Sequence, residues 1–236
     1  MQTFIQFVKS EVSASHCQFC HKQADIELSL CQTCINDLPK NNHACLRCAI
    51  PLTNAEDGLI CGHCQNDPFK FNQSSSPYLY QDRLIPLIHQ LKYQEKLYIA
   101  RTLAQLFIKQ LRKKHIRIPQ VLIPIPLHPN KLKNRGFNQA EEISYFIAKE
   151  LQIPMENKIL YREKETQSQQ SLDAKHRHNN MNNAFKHIQD KKLFAHYEHI
   201  ALIDDVMTTG NTLQSAAKEL KKAGISLIDT WTIARA

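Results

Sequence analysis

From residue 77 onward the apolar residues alternate between two rhythms. Residues 121–125 and 200–203 are short, nearly continuous apolar runs of the length and β-branched content expected of buried strands. Residues 77–80 read as a shorter strand, and residues 225–233 as a final one with Trp231 buried near its end. Between these runs the apolar positions recur at helical spacing. Leu84, Leu87, Ile88 and Leu91 form one stripe, and Ala100, Leu103, Phe107 and Leu111 a second, on a helix spanning residues 96–113. Ala140, Ile143, Ile147 and Leu151 form a third, and residues 213–223 a fourth that ends at Gly224. Strand–helix alternation of this kind predicts an α/β domain, a doubly wound parallel sheet flanked by helices.

Residues 1–70 do not keep this rhythm. All eight cysteines lie between positions 17 and 64, as four CxxC pairs: Cys17/Cys20, Cys31/Cys34, Cys45/Cys48 and Cys61/Cys64. Two CxxC pairs supply the four thiolates of a tetrahedral zinc site, and a segment with few large apolar residues needs such a staple to fold. Disulfides would need an oxidising compartment, and the first nine residues lack the basic start and the long apolar core of a secretory signal. Two structural zinc ions are therefore expected. Consecutive pairing (17/20/31/34 with 45/48/61/64) is favoured over a cross-brace (17/20/45/48 with 31/34/61/64), and His16, His21, His43 and His63 are read as non-ligands. The domain plan is a cysteine-rich double zinc ribbon at 1–70 and an α/β domain at 77–236, joined by a polar linker or joining strand at 65–76.

A hydrophobic content of 42% with 22% charged residues is that of a globular chain. No apolar run is long enough to span a bilayer, and a cytoplasmic location is expected. The formal charge of +8 is unevenly spread: between Arg83 and Arg135 twelve Lys and Arg face a single acid, Glu95. Lys109, Arg112, Lys113, Lys114 and Arg117 crowd into nine of those residues. Such a segment suits a phosphate-rich partner, either a pyrophosphate or a nucleic acid, or else forms a solvated helix face.

The chemistry concentrates after the run at 200–203. Asp204 and Asp205 stand at its carboxyl end, and Thr208, Thr209, Gly210, Asn211 and Thr212 lead into the last helix. A strand–loop–helix turn of this kind offers backbone N–H groups and a helix dipole to an anion, and glycine permits close backbone approach. The two carboxylates cannot hold a phosphate; they suit sugar hydroxyls or hydrated Mg²⁺. Together they describe a receptor for a phosphorylated sugar. The stretch resembles the signature with which type I phosphoribosyltransferases bind 5-phosphoribosyl 1-pyrophosphate (PRPP). That resemblance implies 5′-phosphate binding by Thr208 to Thr212, contact of Asp204 and Asp205 with the ribose hydroxyls, and Mg²⁺ accompanying PRPP.

A second landmark follows the proline-flanked run at 121–125: Arg135, Gly136, Phe137, Asn138 and Gln139. A loop there lies at the carboxyl edge of the sheet, beside residues 204–212. Arg135 is its best pyrophosphate donor, with Lys131 and Lys133 adding charge and Asn138 and Gln139 fixing the loop or capping the next helix. With the CxxC pairs, Leu91-Lys92-Tyr93 and the polar stretch at 161–185, this order of parts resembles the ComF/GntX family over nearly the whole chain. That family combines a type I phosphoribosyltransferase-like domain with an N-terminal zinc module and is associated with competence, natural transformation and DNA uptake. The resemblance maps a mobile PRPP-covering loop onto Arg162, Thr166 and Gln169, with Arg177 and Asn180 beyond, and implies that Arg162 or Arg177 reaches the pyrophosphate. It leaves two functions open. One is transfer of ribose 5-phosphate from PRPP to an unknown acceptor. The other is a non-catalytic single-stranded-DNA-binding competence factor, working with other competence proteins, for which PRPP is a regulatory ligand.

Overall fold

The computed structural model describes residues 16–24, 28–53, 58–114, 116–163, 184–190, 194 and 196–236. Thr166, Gln169, Arg177 and Asn180 lie outside the described residues. Two compact units divide the chain, one ending at Leu38 and the other running from Pro39 to Ala236.

In the first unit the backbone turns tightly between its first two cysteines. The Cys17 N–H donates to the Lys22 carbonyl, and the His21 N–H donates to the Cys17 carbonyl. His21 takes a left-handed φ of 59° to make the turn. Helix α1 (Gln32–Asn36) then starts at Cys31. The second unit opens with the same device. Cys45 N–H donates to the Ile50 carbonyl, Ala49 N–H to the Cys45 carbonyl, Ala49 has φ 54°, and α2 (Gly62–Asn66) starts at Cys61. The cysteine-rich region is thus an internal repeat of one knuckle-and-helix unit.

The rest of the second unit is a parallel sheet. Its elements in order are β1 (Gln73–Ser75), β2 (Tyr78–Leu79), α3 (Leu84–Tyr93), α4 (Tyr98–Leu111), β3 (Val121–Pro124), α5 (Pro129–Arg135) and α6 (Gln139–Leu151). They continue through β4 (Leu160–Arg162), β5 (Phe185–His187), β6 (His199–Met207), α7 (Asn211–Lys222) and β7 (Leu227–Arg235). The strand order is β1–β7–β6–β3, with β2 pairing further along β7, and every pairing in this sheet is parallel. β1 is polar in sequence, and it and the residue after it are seated on β7 by hydroxyl pairs as well as by the backbone: Ser74 with Thr230 at 2.7 Å and Ser76 with Thr232 at 2.5 Å.

Helices cover both faces, as strands buried on both sides require. On one face Leu213, Ala216, Ala217 and Leu220 of α7 share a core with Val121, Ile123, Ile200, Leu202 and Ile228. On the other, α4 brings Phe107 against Trp231, ring centroids 5.4 Å apart, and Trp231 is buried. The predicted α/β sheet flanked by helices is the observed one. β4 and β5 pair antiparallel and join the α7 core through Leu160 and Phe185. Glu219 of α7 fastens this small ribbon by accepting from His187 Nδ1 at 3.0 Å and from Lys222 Nζ at 2.7 Å. Among the described residues no helix is long and apolar enough to cross a membrane.

Candidate sugar-phosphate site and zinc centres

The eight thiols collect into two groups, Cys17/Cys20/Cys31/Cys34 and Cys45/Cys48/Cys61/Cys64, with the sulfurs of each within 4.8 Å of one another. The Cys20–Cys31 and Cys48–Cys61 sulfurs are 3.6 and 3.7 Å apart. A zinc tetrahedron with bonds of about 2.3 Å has sulfur edges of about 3.8 Å, so both groups fit the ion. Pairing is consecutive, as the spacing favoured. Burial raises the Cys17 and Cys45 thiol pKa values, but backbone N–H groups led by those of Cys31 and Cys61 outweigh it, leaving them at about 6 and about 7. In the same groups burial pushes the Cys34 and Cys48 thiols up, to about 12 and about 11, so each set holds both thiolate-favouring and thiol-favouring positions. The double ribbon thus provides two structural zinc sites.

At the carboxyl end of β6 the two adjacent acids share one charged environment: their carboxyls act on each other, and Lys92 acts on both. Asp205, 3% exposed, turns toward the α3 side and forms an ion pair with Lys92 Nζ. Burial works against the Lys92 charge, yet the Asp205 carboxylate outweighs it and holds the ammonium above its ordinary pKa. Asp204 Oδ1 accepts the Asp205 N–H at 2.9 Å. Burial, reinforced by the Asp205 charge, pushes the Asp204 carboxyl up to about 8. Arg162 lies in its field: burial lowers the guanidinium pKa and the Asp204 charge opposes that. Arg162 also sits over the Phe185 ring, 5.4 Å from its centroid.

An acid that keeps its proton to about pH 8 when folded, but loses it near pH 4 when unfolded, makes stability fall as pH rises between those values. Asp204→Asn has no such penalty and keeps the Oδ1 acceptor. The ligand-free variant is therefore expected to melt several degrees above the wild type at pH 8 and within about a degree of it at pH 4, by scanning calorimetry. A gap that does not change with pH would contradict this protonation state.

Beyond the acids, β6 ends at Met207 and the loop turns into α7. Gly210 has φ 81° and caps the helix, and the Asn211 N–H reaches Thr209 Oγ1 at 3.4 Å. Thr208, Thr209, Asn211 and Thr212 retain solvent exposure, whereas Gly210 is buried. Arg135, the last residue of α5, donates to Gln139 Oε1 at 2.5 Å and lies 5.5 Å from the centroid of Tyr93. Tyr93 follows Lys92 in α3, so one helix carries both the residue under Arg135 and the cation paired with Asp205. Asn138 caps α6 through the Ala140 N–H and donates to the Ile125 carbonyl at 3.0 Å, which fixes the intervening loop.

Lys92 is the residue that the sequence reading left without a role. Its only signal was its place in Leu91-Lys92-Tyr93; its partner lies on a distant strand. The basic cluster at 109–117 is not brought to the site. Lys109, Arg112, Lys113, Lys114 and Arg117 are exposed at and beyond the carboxyl end of α4, where the chain enters β3 at the amino edge of the sheet. Arg112 pairs there with Glu150 at 2.8 Å.

Comparison with known proteins agrees with this architecture. A family model described as the double zinc ribbon domain matches residues 12–65. Competence protein F of Haemophilus influenzae is 34% identical over 225 residues, covering 83% of this chain and 98% of its own length. DNA utilization protein YhgH of Escherichia coli is 28% identical over 210 residues, covering 87% and 90% respectively. Competence protein ComFC of Bacillus subtilis is 26% identical over 214 residues, covering 87% and 84%. Double ribbon, parallel sheet and near full-length similarity together make this chain a member of the ComF family of competence and DNA-utilization proteins.

Proposed function

We propose that the chain binds PRPP with Mg²⁺ at the carboxyl edge of the sheet and transfers ribose 5-phosphate to an acceptor, acting in the cytoplasm. The observation that carries this reading is the edge itself: two acids at the end of β6, Lys92 and Arg162 in their field, and a glycine-capped helix start directly after them. The N–H groups and hydroxyls of Thr208, Thr209, Gly210, Asn211 and Thr212 hold the 5′-phosphate. Asp204 and Asp205 accept from the ribose hydroxyls and supply oxygen donors of the kind Mg²⁺ takes. When bound, Mg²⁺ supplies charge neutralisation at the pyrophosphate. Arg135 offers its fork to the same group, and Arg162 and Arg177 add positive charge.

In the transfer, the bond from ribose C1 to the pyrophosphate oxygen breaks and its electron pair leaves with pyrophosphate. The acceptor's lone pair forms the new bond at C1, and any proton it releases passes to solvent. No covalent enzyme intermediate is needed; positioning and the field at the leaving group provide the catalysis. Incubating zinc-loaded protein with Mg²⁺, PRPP and a panel of nucleobases or amines, with pyrophosphate release as the readout, tests the reaction. Release that requires both an acceptor and the two Asp residues supports transfer.

One observation favours the second reading, a single-stranded-DNA-binding competence factor that takes PRPP as a regulatory ligand and works with other competence proteins. The exposed cations at 109–117 sit at the opposite edge of the sheet, away from Asp204 and Asp205, with Arg112 paired to Glu150 and the cluster as a whole strongly positive toward a nucleic-acid backbone. Salt-sensitive binding of single-stranded DNA that survives loss of Asp204 and Asp205, without pyrophosphate release, would favour it.

A further inference from the structure

We propose that the second zinc ribbon is a built part of the phosphate loop, with Phe69 as the residue that positions the loop; the ligand side of this inference rests on the PRPP reading above. Three separate connections run from the ribbon to the loop, one at its entrance, one at its centre and one at its exit.

At the entrance, Arg235 donates from Nε to the Cys48 carbonyl at 3.0 Å and from a terminal nitrogen to the Met207 carbonyl at 3.2 Å. One guanidinium thus joins a zinc knuckle to the last residue of β6. At the centre, the Phe69 ring lies against Gly210. A Cβ added to Gly210 would meet Phe69 Cε1 at 3.1 Å and Cζ at 3.2 Å, distances at which the ring would have to give way. At the exit, the Lys70 N–H donates to Gln214 Oε1 at 2.6 Å, and the Gln214 N–H closes the first turn of α7 onto the Gly210 carbonyl.

Phe69 belongs to the ribbon as much as to the sheet. It packs against the cluster of Cys45, Cys48 and Cys64, stacks on Phe71 at 4.6 Å, and joins the α7 core. Arg47, inside the first knuckle of this ribbon, donates to the carbonyls of Phe69 and Phe71 at 3.0 and 3.2 Å. The chain from sulfur cluster to loop is therefore continuous: knuckle, Arg47, Phe69, Gly210. A loop that binds a phosphate through backbone N–H groups depends on their fixed direction. The ribbon supplies that fixity from behind, leaving the hydroxyl side open.

The test uses the full-length, zinc-loaded protein and its Phe69→Ala and Phe69→Leu variants. Phe69→Ala is expected to retain two zinc ions per chain while amide hydrogen exchange at residues 210–214 speeds up tenfold or more without ligand. Its Kd for PRPP with Mg²⁺ is expected to rise at least tenfold, with Phe69→Leu recovering most of both changes. Unchanged exchange at 210–214 in a zinc-loaded Phe69→Ala protein would overturn the inference, whatever PRPP does. Failure of the wild type to bind PRPP would remove the ligand reading and leave the exchange result to decide the positioning. Should Phe69→Ala lose zinc, Gln214→Ala cuts only the exit connection; exchange at least threefold faster at 210–214 supports the inference, and no change overturns it.

Discussion

Replacing Cys64 with Ser is expected to reduce bound zinc from two ions to one per chain and to lower the melting temperature by about 10 °C or more. A structural zinc site contributes on the order of 10–16 kcal/mol to the folding of isolated ribbons, comparable with the whole stability of a typical domain, about 5–15 kcal/mol. Even a third of that, roughly 4 kcal/mol, shifts the midpoint of a unit of this size by about 8–16 °C. The effect extends beyond the ribbon because the second group of thiols shares a compact unit with the sheet. Ser74 Oγ donates to the Arg47 carbonyl at 2.6 Å, and the Ser74 N–H donates to the Leu46 carbonyl at 2.9 Å, so β1 loses its outer support when the knuckle opens. Zinc content by chelator release and melting by calorimetry check the expectation. A variant with one zinc and an unchanged melting temperature would show that the ribbon folds and unfolds independently of the sheet.

The second large effect concerns Lys92. Lys92→Met is expected to destabilise the ligand-free protein by about 2–4 kcal/mol in chemical denaturation, because the Asp205 carboxylate stays buried without its cation. Breaking a fully buried pair costs about 3–5 kcal/mol; Lys92 retains some solvent contact, 22% of its side chain, which reduces the figure. The double variant Lys92→Met/Asp205→Asn is expected to recover most of the loss, since neither charge is then left alone. Losses that simply add would mean that the pair contributes nothing as a pair.

Much of this molecule follows from local pattern. The runs at 121–125 and 200–203 became β3 and the first half of β6, and the four apolar stripes became α3, α4, α6 and α7, because strands buried on both faces and amphipathic helices leave strong periodic signals. The CxxC pairs were equally legible, since that spacing by itself brings two sulfurs to one metal, whereas the choice between consecutive and cross-braced pairing came from the fold. What sequence spacing does not carry is pairing across the fold. Asp204 and Asp205 are neighbours that read as one unit, and their cations come from distant elements: Lys92 of α3 pairs with Asp205 and acts on Asp204 as well, and Arg162 of β4 lies in the Asp204 field. The basic segment from Arg83 to Arg135 reads as a single charged surface. Topology splits it, with Lys92 and Arg135 at the carboxyl edge and Lys109, Arg112, Lys113, Lys114 and Arg117 at the amino edge. Phe69 fell within a stretch read as a polar linker. Its signal was the Phe69–Phe71 alternation, too short to separate from chance. β1 was equally faint, because the Ser74 hydroxyl on Thr230, rather than apolar side chains, seats it.

The protonation state of Asp204 bears on ligand binding as well. A carboxyl that holds its proton to about pH 8 must release it to accept from hydroxyls or bind a cation, so affinity for Mg²⁺ with PRPP should strengthen as pH rises toward 8. Lys92 also has to give up some of its hold on Asp205, or share it, when the site fills.

Titration calorimetry of PRPP with Mg²⁺ into the zinc-loaded wild type and into Asp204→Asn/Asp205→Asn at pH 8 decides whether the end of β6 is a PRPP site. Saturable binding by the wild type is expected, with an affinity at least a hundredfold weaker in the double variant, which corresponds to about 2.7 kcal/mol. Equal binding by both proteins, or none by a folded, zinc-loaded wild type, would contradict it.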